Sequence, residues 1–112
     1  MTMADPLREL KDKGAALFAK GRHDAALDAF MRARALAPED LVVHQKVAEL
    51  QQRLGRRQEA VASYEALAAL LARDGHLLRA IAACKVILEL DPDHQRTQAL
   101  LADLYAKRRA AP

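Results

Sequence analysis

The chain is 112 residues long, with 18 Lys+Arg against 15 Asp+Glu and a formal charge of +3, which leaves room for one domain and gives no polybasic footprint. Alanine (25) and leucine (18) dominate, while Val, Ile and Thr together supply nine residues, Gly and Pro together eight, and Asn and Trp none. Sandwiches, barrels and α/β folds draw on β-branched, aromatic and turn-forming residues, so this composition excludes them and leaves an all-α chain.

Apolar residues at helical spacing predict six helices in chain order, each closed by short punctuation. The first runs from about Leu7 to Lys20, with Asp5 as its cap, Pro6 at its first position and Gly21 as its stop. The second spans His23 to Leu36, turns Ala26, Leu27, Phe30 and Ala33 inward, and closes at Pro38. The third follows Asp40, carries Val43, Val47, Leu50 and Leu54, and stops at Gly55. The fourth runs from Arg57 to Arg73 and ends at Asp74-Gly75. The fifth spans His76 to Leu90 and ends at Asp91-Pro92-Asp93, with Asp93 the expected cap of the sixth. That last helix frays into Lys107-Arg108-Arg109, and residues 110–112 read as a tail or the start of a linker after one domain over 5–109.

Connections of a few residues force neighbouring helices antiparallel, so the predicted product is a row of six antiparallel helices in helical hairpins. The start, Met1 to Pro6, lacks the basic and apolar regions of a signal peptide. The longest unbroken apolar run, Ala66 to Ala72, has seven residues, far below the ~20 that cross a bilayer. A single cysteine cannot close an internal disulfide and fits a reducing compartment. A cytoplasmic protein without membrane contact is expected.

Catalytic chemistry is poorly supplied. Ser63 is the one serine, and Cys84, the one cysteine, sits in an apolar stripe where a thiol behaves as a small hydrophobe. His23, His44, His76 and His94 show no metal-ligand spacing, and the four isolated glycines form no phosphate loop. Asp91 and Asp93 read as turn and cap rather than an acid–base pair. No cofactor, no metal and no enzymatic activity are expected. The basic clusters Arg53-Arg56-Arg57 and Lys107-Arg108-Arg109 stand at helix ends, whose C-termini favour positive charge, and lack interleaved aromatics. Nucleic acid is therefore not the expected partner.

The chain repeats. Gly21 and Gly55, Ala26 and Ala60, and Phe30 and Tyr64 all stand 34 residues apart. With Leu7 as the first position, Gly14, Leu17, Gly21, Ala26, Phe30, Ala33 and Pro38 fall where a 34-residue helix–turn–helix unit wants small, bulky, turn and stop residues. A second unit from Leu41 keeps Val47, Ala48, Gly55, Ala60 and Tyr64, but has Gln51 at a usually aromatic position and Ala72 at a usual proline. On these residues the sequence resembles the tetratricopeptide repeat (TPR) family over nearly its whole length. The third unit is irregular: Gly75, Ala80, Cys84, Ile87 and Pro92 repeat the second-helix pattern only 20 residues after Gly55, so the fourth helix serves two units.

The resemblance implies an α-solenoid and a non-enzymatic module that receives a protein, a peptide or a partner helix in a concave groove lined by first helices. Carried over position by position, that groove comprises Arg8, Lys11, Ala15, Val42, Gln45, Glu49, Gln52 and Arg53. One family variant grips a peptide's C-terminal carboxylate with lysine and asparagine. Lys11 matches, but Ala15 stands in place of the asparagine, so a chaperone-tail clamp is not expected. A weaker likeness, in residues 75–81 and 88–92, is to N-terminal helical regions of bacterial cyclic-nucleotide-binding regulators. It implies the alternative of a self-associating regulatory module in a larger signalling protein. If the sixth helix is a first helix without its mate, a patch around Leu100 and Leu104 is left for a homodimer or a following segment.

Overall fold

A computed structural model describes residues 5–111. Met1 to Ala4, within the stretch read above as lacking a leader signature, and Pro112, the end of the expected tail, lie outside the described residues. Among the described residues six α-helices follow one another: α1 (Pro6–Ala19), α2 (His23–Leu36), α3 (Leu41–Arg53), α4 (Arg57–Arg73), α5 (Leu77–Leu90) and α6 (Gln95–Ala110). The described residues contain no strand.

Two kinds of turn separate the helices, and each follows from its residues. At Gly21 and Gly55 φ is +74°, a left-handed conformation that glycine adopts without a Cβ clash. It lets the Arg22 N–H reach back to the Leu17 carbonyl and the Arg56 N–H to that of Gln51, both at 2.9 Å, which closes the helix C-terminus. The α4–α5 turn repeats this bond, from the His76 N–H to the Leu71 carbonyl at 2.8 Å. The α2–α3 and α5–α6 turns instead carry Pro38 and Pro92, and there the N–H groups of Asp40 and His94 bond the carbonyls of Ala37 and Asp91. Glycine turns therefore bracket α4 on both sides, which is how the slipped third repeat appears in the backbone.

The chain divides into two compact units, residues 1–60 and 61–112, with the boundary inside α4. In the first, α1 packs on α2 and α2 on α3. Ala26, Leu27, Phe30, Ala33, Val43, Val47 and Leu50 form the core, and Leu7, Leu10, Leu17, Phe18 and Leu54 close over it. Gly14 sits directly on the Phe30 ring: a Cβ built there would lie 2.6 Å from Phe30 Cε2, so only a missing side chain lets the ring occupy that space.

In the second unit α5 packs on α6. Val61, Tyr64, Leu67, Ala68 and Leu71 of α4, and Ala80, Ile81, Ala83, Cys84 and Ile87 of α5, are buried. The α6 helix departs from the sequence reading in three ways. Its cap is His94 rather than Asp93, its last helical residue is Ala110 rather than the Lys107–Arg109 region, and its buried residues are Thr97 and Leu104. Leu104 is 0% exposed, so it belongs to the interior and not to the predicted self-association patch. Leu100 is half-buried. The Asp91-Pro92-Asp93 link folds α6 back onto α5, and that hairpin covers the residue expected to lack a mate.

Candidate interaction surface

Side chains from α1 and α3 supply every residue of the predicted groove, and the first unit contains all of them. Arg8 extends into solvent, its side chain 81% exposed and 4.0 Å from Asp12 one turn on. Lys11 does not stand free. Its Nζ donates to Asp40 Oδ2 at 2.8 Å, and the other oxygen of Asp40 accepts from the Val43 N–H at 3.1 Å as the cap of α3. The Lys11 bond, with a smaller contribution from the Val43 N–H, holds the Asp40 carboxyl below its ordinary range against an opposing push from burial.

Along α3, the Gln45 amide donates to Glu49 Oε1 at 2.8 Å, which brings two predicted groove residues together. Val42 is 54% exposed at the start of the helix. Gln52 and Arg53 are exposed at its end. The Arg53 guanidinium lies 5.1 Å from the centre of the half-buried Phe18 ring, and Lys46 Nζ lies 5.8 Å from it. His23 leans on the same ring at 5.4 Å between centroids. Both cations thus rest on the electron-rich ring face, an attraction worth roughly 0.5–1 kcal/mol at exposed sites. Phe18 and Lys46 were not among the predicted site residues. The signal available was the seven-residue spacing of Lys46 and Arg53, which puts two positive charges on one helix face.

The basic clusters resolve differently. Arg56 pairs with Asp24 at 3.2 Å and approaches Glu59 at 3.9 Å, so the cluster at the α3–α4 turn is partly neutralised. Lys107, Arg108 and Arg109 form no ion pair among the described residues.

Three of the four histidines have structural work. His76 is exposed at the start of α5, whereas His23 is half-buried on Phe18. His44 is buried; its Nε2–H donates to the Pro38 carbonyl at 2.6 Å, and its Nδ1 has no partner. His94 Nδ1 accepts from the Thr97 N–H at 3.4 Å and from Thr97 Oγ1 at 2.8 Å, which leaves Nε2–H to donate to Glu65 Oε1 at 3.2 Å. Arg96 reaches the other oxygen of Glu65 at 3.4 Å. The serial Thr–His–Glu contacts resemble a nucleophile–base–orienter chain, but Thr97 is 3% exposed and a substrate could not reach its hydroxyl. Cys84 is fully buried, and burial pushes its thiol pKa up, away from the reactive thiolate. No group of three or more His, Cys, Asp or Glu among the described residues is arranged to hold a metal. No helix of the described residues is long and apolar enough to cross a membrane.

No protein-family model matches the sequence, and no curated protein matches it. Solved structures do. The type III secretion chaperone SycD of Yersinia enterocolitica, in complex with a peptide of the translocator YopD, superposes with a TM-score of 0.55 at 18% identity, over 95% of this chain and 97% of that one. A tetratricopeptide repeat protein from Parabacteroides merdae gives 0.54 at 21% identity, over 95% of this chain and 48% of that one. The second TPR domain of human RPAP3, in complex with an HSP70 peptide, gives 0.53 at 16% identity, over 89% and 95%. The likeness to cyclic-nucleotide-binding regulators gains no support from these structures.

Proposed function

We propose that this chain, which has the tetratricopeptide-repeat fold, is a non-enzymatic protein-interaction module, one domain over residues 5–109, that takes a peptide or partner helix on the face built by α1 and α3. The observation that carries the proposal is the arrangement around Phe18: Lys46 and Arg53 both rest on one ring at 5.8 and 5.1 Å. Long cationic side chains held by an aromatic face lose less freedom when a partner docks, which favours binding. The RPAP3 and SycD structures were solved with peptides, which supports a peptide ligand for this fold. Arg8, Val42, Gln45, Glu49 and Gln52 add a mixed polar and apolar rim, suited to modest affinity because binding hot spots lean on Trp, Tyr and Arg.

A chaperone tail gripped by a carboxylate clamp is not the proposed ligand. Ala15 has no amide to offer, and Lys11 is engaged by Asp40. The regulatory-module alternative is not favoured by the similar structures. A cytoplasmic setting fits the single buried thiol.

The test is affinity capture from lysate with wild type, Lys46→Glu/Arg53→Glu and a control on α2, Arg32→Glu. We expect a partner recovered by wild type and control and lost with the double variant, with all three melting alike. Equal recovery by all three proteins would remove the α1–α3 face as the binding surface.

A further inference from the structure

The second unit carries an apolar hollow rimmed by unpaired cations. Leu78 is 61% exposed, the most exposed large hydrophobic side chain among the described residues. It lines a depression of about 420 Å³, together with His76, Leu77 and Arg79 from the start of α5 and Arg108 and Ala111 from the end of α6. That volume lies within the ~300–1,000 Å³ of ligand-binding clefts. A second hollow of about 510 Å³ adjoins it, lined by Ala102, Tyr105, Arg108 and Arg109, so Arg108 stands between the two.

Positive charge collects at this place. Arg79, Lys107, Arg108 and Arg109 meet no carboxylate among the described residues, and the nearby Asp74 is taken up by Arg73 at 3.0 Å. Three of the cations suit the negative end of α6. Arg79 does not have that explanation, because it stands in the first turn of α5, where the helix dipole opposes positive charge and no acidic residue offsets it. The surface therefore gathers positive charge around an exposed leucine, and its complement is an acidic segment with an apolar side chain.

We propose that the α5–α6 hollow is a second docking site, for an acidic, leucine-bearing peptide segment of another protein. Its apolar side chain covers Leu78 while its carboxylates pair with Arg79 and Arg108. Arginine forks match carboxylates bidentately, so the two residues fix the orientation as well as the charge of the ligand. A nucleic-acid strand fits less well, since Leu77, Leu78 and Ala111 line the hollow without a Phe, Tyr or Trp for bases to stack on.

The test uses fluorescence anisotropy on the full chain at low salt. The probe is a labelled eight-residue peptide of four glutamates, two leucines and two serines, with a version carrying lysines for the glutamates as control. We expect saturable binding in the tens to hundreds of micromolar that weakens as salt rises. Arg79→Glu/Arg108→Glu and, separately, Leu78→Ser should each weaken it at least ten-fold, while Arg32→Glu on α2 leaves it unchanged. Leu78 and both arginines are exposed, and matching melting curves will show that the variants fold. No saturation by one millimolar peptide would overturn the proposal. So would equal binding by the Leu78→Ser protein, or a single-stranded oligonucleotide binding tighter through the same residues.

Discussion

Lys11 on α1 and Asp40 at the start of α3 are 29 residues apart in sequence, and their side chains meet at 2.8 Å. The pair is half-buried, with 35% and 20% of the two side chains exposed, and Asp40 also caps α3. One carboxylate thus ties α1 to α3 and opens a helix. The position that the resemblance would give to a ligand-gripping lysine is used here to hold the first unit together.

Reversing that charge should therefore cost stability. Lys11→Glu places two carboxylates against each other and lowers the unfolding free energy by about 1–2 kcal/mol, and Asp40→Ala, which also loses a cap, costs about as much. A double-mutant cycle by urea denaturation should give a coupling near ~1 kcal/mol. Unchanged melting of Lys11→Glu would show that the pair contributes nothing.

The same carboxylate sets a pH dependence. The folded-state pKa of Asp40 is depressed below its ordinary value of 3.8. The unfolded chain then binds more protons in that window, and stability rises with pH. The contribution is fully present above pH ~4 and is lost as pH falls through the lower folded value. The stability gap between wild type and Asp40→Asn should hold steady from pH 7 to 5 and shrink below 4. A gap that is flat down to pH 2 would contradict this.

Gly14→Ala should destabilise, although alanine is the better helix former by about 1 kcal/mol. The new methyl meets the Phe30 ring at 2.6–2.8 Å, and forcing a packed ring aside costs roughly 1–3 kcal/mol. We expect a net loss of about 1 kcal/mol in chemical denaturation. Gly14→Ala combined with Phe30→Leu should lose less than the two single losses added together. Strict additivity would count against the contact.

Loss of the His94 cap is a fourth measurable change. His94→Ala removes the acceptor of the Thr97 N–H and the donor to Glu65 and should cost about 1–2 kcal/mol. His94→Asn restores the cap without reaching Glu65 and should recover roughly half. If Asn proves no better than Ala, the cap is not the source of the effect.

These residues also show where sequence reading reaches and where it stops. Both ends of α2 and α4, the start of α3 and the end of α5 coincide with those predicted, and the other ends shift by one residue or, at the frayed end of α6, by up to three, because Gly21, Pro38, Gly55, Gly75 and Pro92 are local signals that need no tertiary information. The sequence points to Asp93 as the cap of α6 because aspartate outranks histidine in cap preference, whereas His94 is held by a local partner, Thr97, and by one distant in sequence, Glu65. Leu100 and Leu104 look alike in the pattern. Only the fold of α6 onto α5 separates the half-buried one from the fully buried one. Repeat position placed Lys11 in a groove, and no periodicity could pair it with Asp40. His44, Gln51 and Ser63 are polar residues that the structure buries, which a hydrophobic pattern cannot register.

Cys84 gives the molecule its own opening clock. It is the single sulfhydryl of the chain, it is wholly enclosed in the second unit, and the first unit has none. A thiol-specific dye will modify it only when the structure around α5 parts, so the labelling rate reads the free energy of that event without any engineered probe. Circular dichroism, by contrast, sums all six helices. Where the two report the same free energy, residues 5–111 open as one cooperative body. Where labelling runs ahead, the slipped repeat is the softer half of the chain.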